Sequence, residues 1–277
     1  MFGIGFYIGL ILIGVFAGFA SGLLGVGGGF LMVPLQYFLF SSVGVDSRLA
    51  MMVSLGTSLA IIIPTATSGA YQHQKKNKDI LKPGILFGLF GIIGGFLGGI
   101  LANIIPIRII QIIFAFLLFI VAADMIFGFK KDGDKSLLNF NIFTAGIIGI
   151  LVGILSGMLG IGGGFFLITA LTIFFGYSLI EAIGTSSVFI ALTAIGGVLS
   201  YIYSGWGVNT LEFSLGYVSL VNFIFIVLFS VPMATLGAKA VYKVPEKRLK
   251  QVFAILLIYM AIKMLGFDPL FYLLGMV

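Results

Sequence analysis

Apolar runs of about 15–24 residues follow one another along nearly the whole chain, parted by short polar breaks, and do not alternate apolar with polar. That is the helix signature; a barrel strand reads as roughly ten alternating residues. Hydrocarbon supplies no partner for backbone N–H and C=O groups, so long apolar runs in lipid fold as helices. The pattern predicts spans over residues 2–24, 49–69, 83–103, 107–127, 140–159, 213–237 and 252–267. Two shorter pieces, 30–40 with Pro34 near its start and 165–175, either cross or re-enter. The expected fold is an all-α integral membrane protein, a polytopic helical bundle with broken or re-entrant helices and about 8–10 membrane segments.

The run Ser21-Gly22-Leu23-Leu24-Gly25-Val26-Gly27-Gly28-Gly29 returns 135 residues later as Ser156-Gly157-Met158-Leu159-Gly160-Ile161-Gly162-Gly163-Gly164. Each copy follows glycines spaced four apart (Gly14, Gly18, Gly22; Gly149, Gly153, Gly157). Gly56-Thr57-Ser58 recurs as Gly184-Thr185-Ser186 at an offset of 128, and Pro106 as Pro245 at 139. Loop insertions account for the drift, so the chain reads as a duplication: a first transmembrane repeat over 1–136 and a second over 137–277.

Composition agrees. Hydrophobic residues make up 60%, charged residues 9%, and mean hydropathy is +1.24; a soluble domain has about 25% charged residues. The net charge of +6 does not call for nucleic acid, because the lysines sit in loops 72–82, 130–136 and 239–250, while loop 204–212 has none. Positive-inside placement puts the three basic loops in the cytoplasm and both termini outside. The parity of crossings then inverts the second repeat relative to the first, the architecture of secondary transporters. Without a basic n-region or an A-x-A-like site, the first run is expected to be a retained helix. Cysteine is absent, so disulfides and thiolate metal sites are excluded.

Glycines spaced four apart let helix backbones approach. Three consecutive glycines do something else, since each costs about 1 kcal/mol against alanine inside a helix. An unwound turn in lipid is tolerated where it is buried or lines a watery cavity. A helix restarting there offers free N–H groups and its positive dipole end to an anion. Gly27, Gly28 and Gly29, with Gly162, Gly163 and Gly164, are therefore expected to line a substrate path. Ser21, Ser156, Thr57, Ser58, Thr185, Ser186 and Ser187 fall at matching places and are candidate contacts. Back-bonding to the preceding turn is the plainer role for any one of them. Among ionisable residues, Glu181 is a candidate proton relay and Arg48 a candidate anion lure or interfacial anchor. Asp124 and Lys263 sit near span ends, and His73 in a basic loop reads as a solvated histidine. An enzyme is not expected: a serine nucleophile needs a neighbouring base, and the chain's one histidine lies in that loop. No cofactor or metal is called for, GxGxxG is incomplete, and the sequence assigns no oligomeric state. A non-transporting structural membrane protein is the remaining alternative.

The duplicated Ser-Gly-x-x-Gly-x-Gly-Gly-Gly-Phe, with Pro34 and a later Gly-Thr-Ser in each half, resembles the TauE/SafE (sulfite exporter) family of membrane transporters. The likeness covers essentially the whole chain. It implies a secondary transporter for small sulfur-containing anions such as sulfite, sulfonate or sulfoacetate, exporting them across a prokaryotic inner membrane, with protons as a candidate coupling ion. By position it implies that Ser21, Gly22, Gly25, Gly27, Gly28 and Gly29 surround the anion. Ser156, Gly157, Gly160, Gly162, Gly163 and Gly164 would do so from the other half, joined by Gly56-Thr57-Ser58 and Gly184-Thr185-Ser186. Thr169 stands where a second proline is expected. A carrier of another small anion or metabolite is the alternative.

Overall fold

A computed structural model describes residues 3–24, 27–75, 77–127, 138, 140–208, 211–240 and 246–267. They form α1 (Ile4–Leu24), α2 (Gly29–Ser42), α3 (Ser47–Gln74), a 3-10 turn (Lys78–Ile80), α4 (Leu81–Ile104) and α5 (Ile107–Phe127). Then follow α6 (Ile142–Leu159), α7 (Gly164–Phe174), α8 (Leu179–Ser204), β1 (Ser214–Leu215), β2 (Val218–Ser219), α9 (Leu220–Ala240) and α10 (Glu246–Met264). Among the described residues, seven helices are long and apolar enough to cross a membrane, and three shorter stretches are apolar. The protein is an all-α polytopic membrane protein.

Local chemistry starts several helices. The Asp46 carboxylate accepts from the Arg48 and Leu49 amides at 3.0 and 3.1 Å, capping α3. Reciprocal capping boxes, Asn141 with Thr144 and Ser178 with Glu181, open α6 and α8. Two boundaries depart from the sequence reading. The third span runs to Gln74 rather than 69, which carries His73 out of the loop and onto the helix. The span expected from 213 starts at Leu220, because Ser214–Ser219 fold into a two-stranded hairpin turning at Gly216 (φ 54°). At Thr169 the missing proline has a substitute of sorts: its hydroxyl donates to the Phe165 carbonyl at 2.9 Å, one turn back.

The chain divides into two compact units, Met1–Ile104 with Lys131–Val241, and Ile105–Lys130 with Tyr242–Val277, each drawing on both sequence halves. In the larger unit the spaced glycines form two seams. A Cβ on Gly149 would stand 2.6 Å from the Phe87 carbonyl oxygen, one on Gly153 2.7 Å from that of Gly91, and one on Gly157 would strike that of Gly95. So α6 lies parallel to α4, backbone on backbone. The first half's glycines repeat this against α9: Gly14 against Ile226, Gly18 against Ser230, Gly22 against Ala234. These close contacts replace the hydrophobic drive that lipid does not supply.

The remaining pairs fix direction. Gly84 meets Val188 and Gly95 meets Thr193, so α8 runs with α4. Gly56 meets Tyr201, Leu59 meets Gly197 and His73 meets Gly184, so α3 and α8 run opposite ways. Thr57 bonds Ser219 and Ser68 bonds Thr235, so α9 runs with α3. α2 doubles back along α1, with Phe40 against Phe6 (ring centroids 5.5 Å) and Leu39 against Gly9. At about 1.5 Å per residue its 14 residues reach about 21 Å, well short of a bilayer core of about 30 Å. Hence α1, α3 and α9 point one way and α4, α6 and α8 the other. The ends of α3 and α9 lie on one side and the end of α8 on the opposite side.

The smaller unit is an antiparallel pair. The Arg108 guanidinium, on the first turn of α5, donates to the carbonyls of Leu265 at 2.5 Å and Met264 at 3.5 Å, satisfying the C-terminus of α10.

The seams predict a sharp positional contrast. Gly153→Val should cost about 1–3 kcal/mol through overpacking. Gly5→Val, with nothing within 4 Å of its added Cβ, should leave stability unchanged or slightly raised. Thermal unfolding of the two purified variants in the same detergent checks this.

Candidate functional site

Each glycine break is an unwound turn held by residues in the left-handed region. Gly27 and Gly28 have φ of 85° and 72°; Gly160, Gly162 and Gly163 have 65°, 83° and 74°. A side chain there would be strained, so the sequence needs glycine. Gly28 and Gly163 are the N-caps of α2 and α7, and neither helix has a side-chain cap. The first amides of these helices therefore face the break with no intrahelical partner, at the positive dipole end.

The two breaks touch. A Cβ on Gly29 would lie 2.5 Å from the Ile161 Cα and 2.8 Å from the Gly160 carbonyl oxygen. Ile62 of α3 and Ile190 of α8, 128 positions apart, flank the contact: Ile190 packs on both Gly27 and Gly162, and Ile62 on Gly29 and Gly162. The Gly28 turn folds over Ser21, and the Gly163 turn over Ser156. All of this is buried.

The hydroxyls divide by what they already do. Ser58 donates to the Gly160 carbonyl at 2.9 Å, tying α3 to the second break. Thr57 accepts the Ser219 amide at 2.9 Å, and Gly56 lies against Tyr201 and the Tyr217 carbonyl, so this turn seats the hairpin. Ser187 and Thr65 donate to their own helices. Ser156 is fully buried and its hydroxyl has no protein partner, which leaves it able to donate to a ligand. Gly157 packs in the α4–α6 seam and its carbonyl accepts from the Tyr201 hydroxyl at 3.1 Å. Gly164 is the buried first residue of α7, and Ser186 is buried on α8. Gly184 lies against Ile80 and His73. Gly25 lies outside the described residues.

Two openings sit on the side where α3 and α9 end. A narrow cleft with room for about one water molecule runs to the first break, lined by Ser21, Gly22, Gly27, Thr65, His73 and Ser187. A wider polar pocket of about 330 Å³ lies at the start of α8, lined by Asn77, Asp79, Tyr177, Glu181 and Thr185 among others. Burial, and then the Glu181 carboxylate, push the Tyr177 phenol up from its ordinary pKa, so it stays protonated at neutral pH. Thr57 and Thr185 are equivalent, yet Thr57 is sealed by the hairpin while Thr185 faces the open pocket.

Of the charged candidates, Glu181 lines that pocket, with one carboxylate oxygen engaged by Ser178 at 2.7 Å. Arg48 stands at the opposite end of α3 from the cleft, where it donates to the Asn103 carbonyl at 2.5 Å. Sequence reasoning passed over Thr65, Asn77, Asp79, Tyr177 and Tyr201, and placed His73 in solvent. The available signal was an acid inside a lysine-rich loop. Among the described residues, no three His, Cys, Asp or Glu side chains gather to hold a metal.

Residues 10–264 match the family described as sulfite exporter TauE/SafE. A "Probable membrane transporter protein" of Haemophilus influenzae is 38% identical over 92% of this chain and 96% of its own length. The "Probable membrane transporter protein YdhB" of Bacillus subtilis is 31% identical over 71% of this chain and 79% of its own length. Another, MJ0441 of Methanocaldococcus jannaschii, is 28% identical over 92% of this chain and 94% of its own length. No solved structure matches the chain.

The two buried serines are predicted to behave differently. Ser58→Ala strands the Gly160 carbonyl and should lower stability by about 1 kcal/mol. Ser156→Ala removes a hydroxyl that bonds nothing in the protein and should leave the unfolding temperature unchanged, while reducing whatever flux the protein supports. Unfolding curves and transport assays on both variants check the pair.

Proposed function

Because the chain belongs to the sulfite exporter TauE/SafE family, we propose that this membrane transporter is a secondary carrier, exporting small sulfur-containing anions such as sulfite, sulfonate or sulfoacetate. The observation that carries the reading is the meeting of two uncapped helix N-termini at touching glycine breaks. Backbone amides, the positive ends of α2 and α7, and the hydroxyls of Ser21 and Ser156 together offer donors to an oxyanion without burying a fixed cation. A tetrahedral sulfonate or pyramidal sulfite presents several acceptor oxygens and suits the donors gathered there.

The helix directions support inverted repeats over residues 1–136 and 137–277. α1 and α6 point opposite ways, as do α3 and α8, and α4 and α9, which are the equivalent pairs of the duplication. Rocking one repeat against the other around a fixed central site is the motion such folds use. With the basic loops in the cytoplasm of an inner membrane and both termini outside, the cleft and polar pocket face inward. The hairpin Ser214–Ser219 then closes the outer side. No ATP is needed for an anion to leave a negative-inside cell, since the potential supplies about 2.3 kcal/mol per charge per 100 mV. Protons are a second candidate driving ion, and the family membership gives no reason to expect covalent catalysis.

Uptake of labelled sulfite and sulfoacetate into proteoliposomes, with and without an imposed pH gradient and potential, tests this against a neutral amino acid. Saturable flux of a sulfur anion that responds to either gradient is expected. Gly28→Val and Gly163→Val should abolish it while leaving membrane insertion intact. Wild-type flux in either variant would remove the break from the mechanism, and absence of sulfur-anion flux from folded protein would point to a carrier of another small anion or metabolite.

A further inference from the structure

The polar pocket at the start of α8 carries chemistry that the anion path does not use. Among the described residues its lining includes two carboxylates, Asp79 and Glu181, the amide of Asn77 and the phenol of Tyr177, and no lysine or arginine. Of the described lysine side chains nearby, Lys75 is exposed and lies 4.3 Å over the Tyr71 ring, and Lys82 is exposed to solvent; Lys76 and the side chain of Lys78 lie outside the described residues. Asn77 Oδ1 already accepts the Asp79 amide at 2.9 Å, and Glu181 Oε2 accepts the amide and hydroxyl of Ser178.

Thr185 supplies the independent observation. It is fully buried, it lines the pocket, and its hydroxyl oxygen has no hydrogen-bond partner. An orphaned buried hydroxyl is costly and calls for an explanation. The duplication shows that the fold does not require it: the equivalent Thr57 oxygen accepts the Ser219 amide. The Thr185 hydroxyl has no such partner and can accept or donate; the two carboxylates that share its pocket are acceptors only when ionised. With them, a ligand that donates or carries positive charge matches this lining better than an anion.

We propose that this pocket binds a small monovalent cation, either an alkali ion or the ammonium end of a small molecule. A divalent metal fits less well, since no third carboxylate or imidazole joins the two acids among the described residues. Thr185 and Ser187 stand two residues apart on α8, one lining this pocket and the other the cleft that reaches the first glycine break. The binding itself does not rest on the transporter reading.

The test is thermal unfolding of the full-length protein in detergent, titrated with sodium, potassium or methylammonium chloride. Choline chloride holds ionic strength constant and serves as the bulky control. A ligand that binds only the folded state raises the unfolding temperature saturably. At least one small cation should do so, with apparent affinity weakened roughly tenfold or more in Asp79→Asn and in Thr185→Val, and kept in Thr185→Ser. Val preserves the shape of Thr, so the Thr185→Val variant separates loss of the oxygen from loss of the fold. A sodium or potassium response assigns an inorganic ion; a response to methylammonium alone assigns an ammonium group. No difference between any small cation and choline, or a response that survives either substitution unchanged, overturns the proposal, whatever the fate of sulfur-anion transport.

Discussion

Gly29 lacks a side chain where the backbone of Ile161 comes within 2.5 Å of the place a Cβ would occupy. Through that contact the two glycine breaks bury their polar groups against each other rather than in lipid. In hydrocarbon an unwound turn is tolerated only when protein or water receives its polar groups. Everything around the break serves that condition. Ser58 receives the Gly160 carbonyl, Ile62 and Ile190 pack the flanks, and the glycine seams bring α1 to α9 and α6 to α4 at backbone distance. The amides at the starts of α2 and α7 face the break without a side-chain cap.

A duplicated chain whose halves were equally covered would present the same openings on both sides. Here the sides differ. On one, Thr57 is bonded to the hairpin strand through Ser219, and Gly205 and Gly216 allow that strand to sit tightly on the end of α8. On the other, the 3-10 turn at Lys78–Ile80 stands where the hairpin would be, and Thr185 opens to a polar pocket.

Much of this was readable in the sequence because it rests on pattern. Apolar runs of helical length and glycines spaced four apart gave the helices and the seams. The triple glycines marked the turns with positive φ. What pattern did not reveal depends on pairing across the fold. The hairpin at Ser214–Ser219 hid inside an apolar run, since two-residue strands leave almost no periodicity. His73 and Asp79 looked like ordinary loop residues because nothing local says that α3 continues to Gln74 or that α8 starts beside it. Nor does the spacing of Gly56-Thr57-Ser58 say that Thr57 holds a hairpin while Ser58 holds the second break. Equivalent residues took unequal roles because their neighbours differ, and those neighbours are distant in sequence.

The absence of native cysteine permits a direct test of whether the break lies on the path. Ser21→Cys and Ser187→Cys would each place a single thiol in the cleft beside Gly27. Labelling by an anionic, membrane-impermeant thiol reagent would be measured from each side of oriented vesicles, with and without sulfoacetate. The expected result is modification from the side of loop 72–82, slowed in a saturable way by the sulfonate. Equal labelling with and without sulfoacetate at both positions, in vesicles that transport it, would contradict a central anion site at the glycine breaks.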